Sequence, residues 1–371
     1  MKLLITSVFF ILILINQGVC QPFVYKDVPD YLKKNVIPTE QEINNVILNY
    51  PKAVDAVNYL PKNYVIDGSV DYTKQIQNAI NNNSQIILPN FPVLVNSKGL
   101  TLKSNSIVIF RKNSKILLRP TIENNYQILR VYNVNNIKIF FPNVIGDKDK
   151  HLSNKGEFGM GISIRGSNNV KIYKAQISSC WGDGLYIDDY SKKILIEGIH
   201  VDNNRRNGIS IVYGSDIIVN NLLASNTFGT SPMAGIDIEP DNNTQVVNNI
   251  TLNYPVTFNN GNRGILLALM NLPGPSKREV IINVNNHTDY FSKMGMAYYP
   301  GKNQKKWGNF SGRILINNPN WKNSLNTPFF IPNTELSNNL EILLNTNNGV
   351  DRNTMNKIKN ITNIHSKIYI K

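Results

Sequence analysis

Cysteine is almost missing from this 371-residue chain, which has only Cys20 and Cys180. A disulfide-stapled fold is therefore excluded. There is no zinc module, no basic amphipathic helix and no aromatic RNA-binding motif, so nucleic acid is not an expected partner. Acidic residues run short, 25 against 39 Lys and Arg, and the formal charge is +14. Such an excess attracts polyanions, and it also keeps exposed strand edges solvated. Long apolar runs are missing too, except Leu3 to Ile15 behind Lys2. With Gln17-Gly18-Val19-Cys20 following it, residues 1–20 read as a cleaved signal segment, with an apolar run too short for a membrane span. Gln17 stands where a lipoprotein signal needs an aliphatic residue. A secreted or cell-surface protein is expected, with no stable membrane insertion.

What the chain does have is repetition. Gly161-Ile162-Ser163-Ile164 returns as Gly184-Leu185-Tyr186-Ile187, Gly208-Ile209-Ser210-Ile211 and Gly235-Ile236-Asp237-Ile238, and more weakly as Gly264-Ile265-Leu266-Leu267. The glycines lie 23, 24, 27 and 29 residues apart. A short alternating strand at near-fixed period, with a second strand such as Val170-Lys171-Ile172 upstream, describes stacked coils. The expected fold is all-β, a right-handed parallel β-helix with a short N-terminal capping helix. Asn crowds the turns, where it tolerates left-handed backbone and can bond along the stack. Thr39 to Glu42 reads as a capping box, and Asp71 as the cap of a helix carrying Tyr72, Ile76, Ala79 and Ile80. The expected divisions are 21–82 for lead-in and capping helices, 83–317 for the coils and 318–371 for a terminal coil and cap. Gly146 to Met160, Leu269 to Glu279 and His287 to Asn309 read as excursions from the coils.

The stretch Asp71 to Ile80, of the form Asp-x-Thr-x-x-Ile-x-x-Ala-Ile, leads into Ile87-Leu88-Pro89 and then Gly-rich coils. It resembles the pectate-lyase-like β-helix superfamily over most of the chain. The resemblance implies action on a polysaccharide by a lyase, hydrolase or epimerase, although fold alone does not settle function. The polygalacturonase family carries Asn-Thr-Asp, Gly-Asp-Asp and Gly-His-Gly at three successive turns. Gly159-Met160-Gly161, Gly182-Asp183-Gly184 and Arg206-Asn207-Gly208 stand there here, and only Asp183 falls on a family carboxylate. That family's mechanism is not expected.

Alternation places two columns outward: Ser163, Tyr186, Ser210, Asp237, Leu266 and Arg165, Asp188, Val212, Glu239, Ala268. An exposed patch of acids, hydroxyls and a guanidinium is expected, flanked by Asp183, Arg205, Arg206 and Arg263. Asp237 and Glu239 would lie ~6.8 Å apart on one strand, near the ~6.5–9.5 Å of an inverting hydrolase, with Asp188 ~9.6 Å from Glu239. Elimination would instead use Tyr186, His151 or an arginine as base, with Arg165, Arg205, Arg206 and Arg263 to hold and neutralise a uronate carboxylate. Calcium held by Asp183, Asp188, Asp237 and Glu239 is a further option. His151 is a candidate acid or base or an exposed loop histidine, with Glu157 in the same loop. Trp181 either stacks on a sugar or fills a corner. The expected partner is an acidic, uronate-containing polysaccharide whose glycosidic bonds are broken. The alternatives are a C5-epimerase and a non-catalytic glycan-binding module.

Overall fold

A computed structural model describes residues 23–272, 274–300, 308–332, 339–346, 352–362 and 368–370. The expected signal segment lies outside them. The fold is a right-handed parallel β-helix. One sheet collects a strand from each successive coil: β1 (Leu100–Thr101), β2 (Asn125–Tyr132), β3 (Phe158–Arg165), β4 (Leu185–Asp188), β5 (Asn207–Ile211), β6 (Ala234–Ile238), β7 (Arg263–Ala268), β8 (Met294–Tyr299) and β9 (Thr327–Phe330). A larger parallel sheet takes the rest of each coil, and its long strands, such as Asn168–Ser178, bend at left-handed residues such as Lys174 and Asn221.

Register explains the repeated phrase. Ile162, Leu185, Ile209, Ile236 and Ile265 pair in one column and Ile164, Ile187, Ile211, Ile238 and Leu267 in another. All ten are fully buried in the core. The glycine that opens each copy is required by close approach. A Cβ on Gly161, Gly184, Gly208 or Gly235 would lie 2.4–2.8 Å from the carbonyl oxygen of the next glycine in the column. The column continues to Gly295 in β8, so residues 294–299 form another copy, part of a coil where the sequence suggested an excursion.

Turn asparagines bond along the axis: Asn169 to Asn136 at 2.8 Å and Asn136 to Asn105 at 2.9 Å. Helices pack against the coils. Thr39 and Glu42 form the capping box of α1 (Glu40–Asn49). In α2 (Thr73–Asn82), Ile76, Ala79 and Ile80 are buried over the first coil together with Tyr72, and Asp71 accepts from the Thr73 amide. At the other end lies α3 (Arg352–Thr362), a helix the sequence pattern did not suggest. Parallel stacking runs past residue 317, through 339–345 and 368–370.

Candidate functional site

The two columns fall as alternation requires, but the patch they form is not exposed. Ser163, Ser210 and Asp237 are fully buried, and Tyr186, Asp188 and Val212 nearly so. The loop between residues 146 and 158 folds over the corner where β3, β4 and β5 begin, and Tyr186 and Val212 pack with Met160. The Trp181 indole donates to the Lys155 carbonyl at 2.9 Å and Arg205 to the Gly156 carbonyl at 2.7 Å. The backbone passes so close over Gly182 that a Cβ there would meet the Glu157 oxygen at 2.2 Å.

Beneath this loop, three turns and β6 bring four carboxylates around Arg206. Its Nη1 donates to Asp183 at 3.1 Å, its Nη2 to Glu239 at 2.5 Å, and Glu157 lies 3.7 Å from its Nε. Asp183 also accepts from the Asn207 amide at 3.0 Å and the Ser210 hydroxyl at 2.8 Å. The Asn207 side-chain amide reaches Ser210 at 3.0 Å and Asp237 at 3.3 Å, and so links Asp183 to Asp237 across the coil between them. Neither Asn207 nor Ser210 stood out as a connector, because their roles depend on turn geometry.

Burial and neighbouring charge raise both buried carboxyl groups. Burial raises Asp183 to about 6, with Glu239 adding to the rise and Arg206 opposing it. Asp237 is raised well above the carboxylate range by burial, then by the Glu239 charge, against the pull of Arg206. Its Oδ1 is buried without a hydrogen-bond partner, a need that a proton shared with Glu239 would meet. Burial works against the charge on Arg206, but Asp183, Glu239 and Asp237 hold it above its ordinary value. Side-chain exposure then divides the cluster: 0% for Asp183, 13% for Arg206, 20% for Glu239 and 37% for Glu157. Only Glu239 and Glu157 present carboxylates to solvent.

Asp237 makes a direct test. Folded, it holds its proton at pH values where the unfolded chain has lost it, so its contribution is complete below about pH 4 and is lost as pH rises toward its folded value. Asp237→Asn keeps the shape and removes that loss. Its melting temperature should exceed the native one at pH 7–8 and converge with it near pH 4.

Several expected site residues are placed elsewhere. Asp188 does not join Glu239. It accepts from the Tyr186 hydroxyl at 3.3 Å and lies 3.8 Å from Arg165. The calcium quartet is therefore not assembled, and the Arg206 guanidinium fills the space between Asp183 and Glu239 that a cation would need. No group of three or more His, Cys, Asp or Glu suited to a metal ion occurs among the described residues. Burial and then Asp188 raise the Tyr186 phenol, which works against its use as a base. His151 is not an exposed loop histidine: its side chain is fully buried, 2.8 Å from Asp147, and stacked on Trp181 with ring centroids 4.0 Å apart. Arg205 covers Trp181 from 3.9 Å, which leaves no room for a sugar there. Arg263 donates to Tyr299 at 2.8 Å, and Arg165 lies over the Tyr186 ring at 4.9 Å.

Asp147 escaped the sequence reading. It accepts from Tyr126 at 2.5 Å and from the Thr121 amide at 3.0 Å, as well as pairing with His151. The spacing Asp147-x-x-x-His151 was the one available signal, since Tyr126 joins from a different coil.

A family model described as right handed beta helix region matches residues 121–271. The chain carries that fold. Two curated relatives from Bacillus subtilis (strain 168), the uncharacterized protein YclG and the SPbeta prophage-derived uncharacterized protein YorA, are 31% and 24% identical over 160 and 162 residues. Each match takes in 38% of this chain but only 27% and 28% of the relative, so the chain spans little more than a quarter of their length. Among solved structures, a mannuronan C-5 epimerase A-module of Azotobacter vinelandii is 15% identical with a TM-score of 0.52, covering 78% of this chain and 94% of that one. The endo-xylogalacturonan hydrolase of Aspergillus tubingensis is 13% identical with a TM-score of 0.51, covering 77% and 84%. The enzymatically active domain of bacteriophage CBA120 tailspike protein 2 is 14% identical with a TM-score of 0.51, covering 79% and 47%. At these identities the likeness is one of fold. No helix of the described residues is long and apolar enough to cross a membrane.

Proposed function

We propose that the protein is a secreted enzyme that hydrolyses glycosidic bonds in an acidic polysaccharide, using the carboxylates gathered on Arg206. The observation that carries the reading is the division within that cluster. Buried Asp183 and Asp237 are pushed toward their protonated forms, while Glu239 and Glu157 reach solvent on either side of one guanidinium. Carboxyl groups raised by burial beside a specific charge partner are a common mark of a catalytic cluster. Glu239, sharing a proton with Asp237, donates it to the glycosidic oxygen as the C1–O bond breaks. Water attacks C1 and gives its proton to Glu157. Glu239 and Glu157 approach different nitrogens of that guanidinium, at 2.5 and 3.7 Å. Asp183 and Arg206 position both groups.

Elimination and epimerisation receive less support. Each needs an accessible base and a free cation for the uronate carboxylate. Tyr186 is held as a phenol, His151 is buried between Asp147 and Trp181, and Arg205, Arg206 and Arg263 already have partners, which leaves Arg165, 28% exposed and 3.8 Å from Asp188, as the one expected cation still open to a ligand. The chain's charge of +14 supports an anionic polymer. Incubation with a panel of uronate-containing and neutral polysaccharides tests the reading. New reducing ends without the ultraviolet absorbance of an unsaturated uronate are expected. That absorbance would mean elimination, and no product from any polymer would mean a binding module.

A further inference from the structure

A cavity of about 460 Å³ lies where α2 meets β1 and β2, on the same sheet as the carboxylate cluster but at the N-terminal end of the solenoid. Three cations line it, Lys74, Lys98 and Arg130, and no acidic side chain does. Arg130 is held in place. Its Nε donates to the Thr101 hydroxyl at 2.9 Å, and its Nη2 contacts the Lys98 carbonyl. The wall is equally fixed, because the Gln77 side chain of α2 exchanges hydrogen bonds with the Thr101 backbone at 2.8 and 3.0 Å. Asp71, a nearby carboxylate, is already engaged by Thr73, Asn96 and Arg119 at 2.9, 2.9 and 3.4 Å. Lys74 and Lys98 are exposed, with ammonium groups on flexible stems.

The register ties this cavity to the carboxylate cluster. Thr101, Arg130, Ser163, Tyr186, Ser210 and Asp237 pair one after another in a single column, so Arg130 stands four coils before Asp237, ~19 Å along the axis. Between them lies Arg165, with its guanidinium 5.8 Å from the Tyr132 ring and 4.9 Å from that of Tyr186, and its side chain 28% exposed. A polymer laid along the axis from the cavity would pass Arg165 before reaching Glu239.

We infer that the cavity formed by Lys74, Lys98 and Arg130 is a subsite for the anionic groups of a polysaccharide, several sugars away from the bond at Glu239. This rests on the hydrolase reading for the identity of the polymer, and on the cavity's own charge for the sign of the ligand. Three cations without a lining acid attract a carboxylate or sulfate, and salt screens that attraction because two of them are exposed.

Binding to oligogalacturonate, oligo-alginate and xylo-oligosaccharide hexamers, measured on the full chain carrying Glu239→Gln with and without Lys74→Gln/Lys98→Gln, tests it. The double substitution should weaken an anionic probe about tenfold at low salt, leave the neutral xylo-oligosaccharide unchanged and leave the melting temperature in place. The difference should vanish near 1 M salt, where the Debye length is about 3 Å. An equal loss on neutral and anionic probes, no loss on either, or tighter binding to anionic phospholipid vesicles or DNA than to any anionic glycan would overturn it. Binding that depends on Lys74 and Lys98 without cleavage by the native chain would keep the subsite and sink the hydrolase. Cleavage indifferent to both lysines would do the reverse.

Discussion

Replacing Glu239 by glutamine is expected to lower turnover ~10²–10⁴-fold, the range lost with a general acid or base, with little change in KM. Glu239 and Glu157 are the carboxylates of the cluster that reach solvent, and Glu239 both bonds Arg206 and adds its charge to the forces that raise Asp237. Glutamine keeps the shape and an oxygen for Arg206 but cannot deliver a proton. Asp188→Asn is the matched control, because Asp188 answers to Tyr186 and Arg165 instead of the cluster. Its turnover should stay near the native value. Undiminished turnover in Glu239→Gln would reduce the cluster to a structural device.

Arg206→Met should destabilise the protein by about 3–5 kcal/mol at neutral pH, since it leaves buried carboxylates without their counter-charge. The loss depends on pH with a definite sign. Without the guanidinium, Asp183 and Asp237 rise further, and each can escape the penalty only by holding a proton. Protons are plentiful at pH 5 and scarce at pH 8, so the gap between native and variant melting temperatures should widen from pH 5 to pH 8. A gap that stays constant would show that Arg206 acts by packing and not as the shared counter-charge.

Much of the fold was legible because one physical demand repeats. Each coil's backbone runs so close to its neighbour that only glycine fits at its corner, and Gly161, Gly184, Gly208, Gly235 and Gly264 advertise it. The copy at Gly295 went unread because Met296, Ala297 and Tyr298 replace the aliphatic alternation, although Tyr298 is buried as its predecessors are. The cluster was legible only in part: Asp183, Asp237, Glu239, Arg206 and Glu157 come together, while Asp188, Tyr186, His151 and Trp181 stand apart from it. Alternation put Asp237 and Glu239 on the face turned away from the core, whereas the path of the 146–158 loop over that face is set by contacts from Trp181 and Arg205. Arg206 as a hub, Asn207 as a bridge and the Tyr126–Asp147–His151 group each join residues from different turns, and strand periodicity carries no information about such meetings.

The most direct test of the central claim is mass spectrometry of products formed in water enriched in oxygen-18. Hydrolysis at the Arg206 cluster places one solvent oxygen on C1 of each new reducing end, so labelled saturated oligosaccharides are predicted from the native chain and none from Glu239→Gln. Unlabelled reducing ends paired with unsaturated uronates would contradict the account, because elimination leaves the original glycosidic oxygen in place.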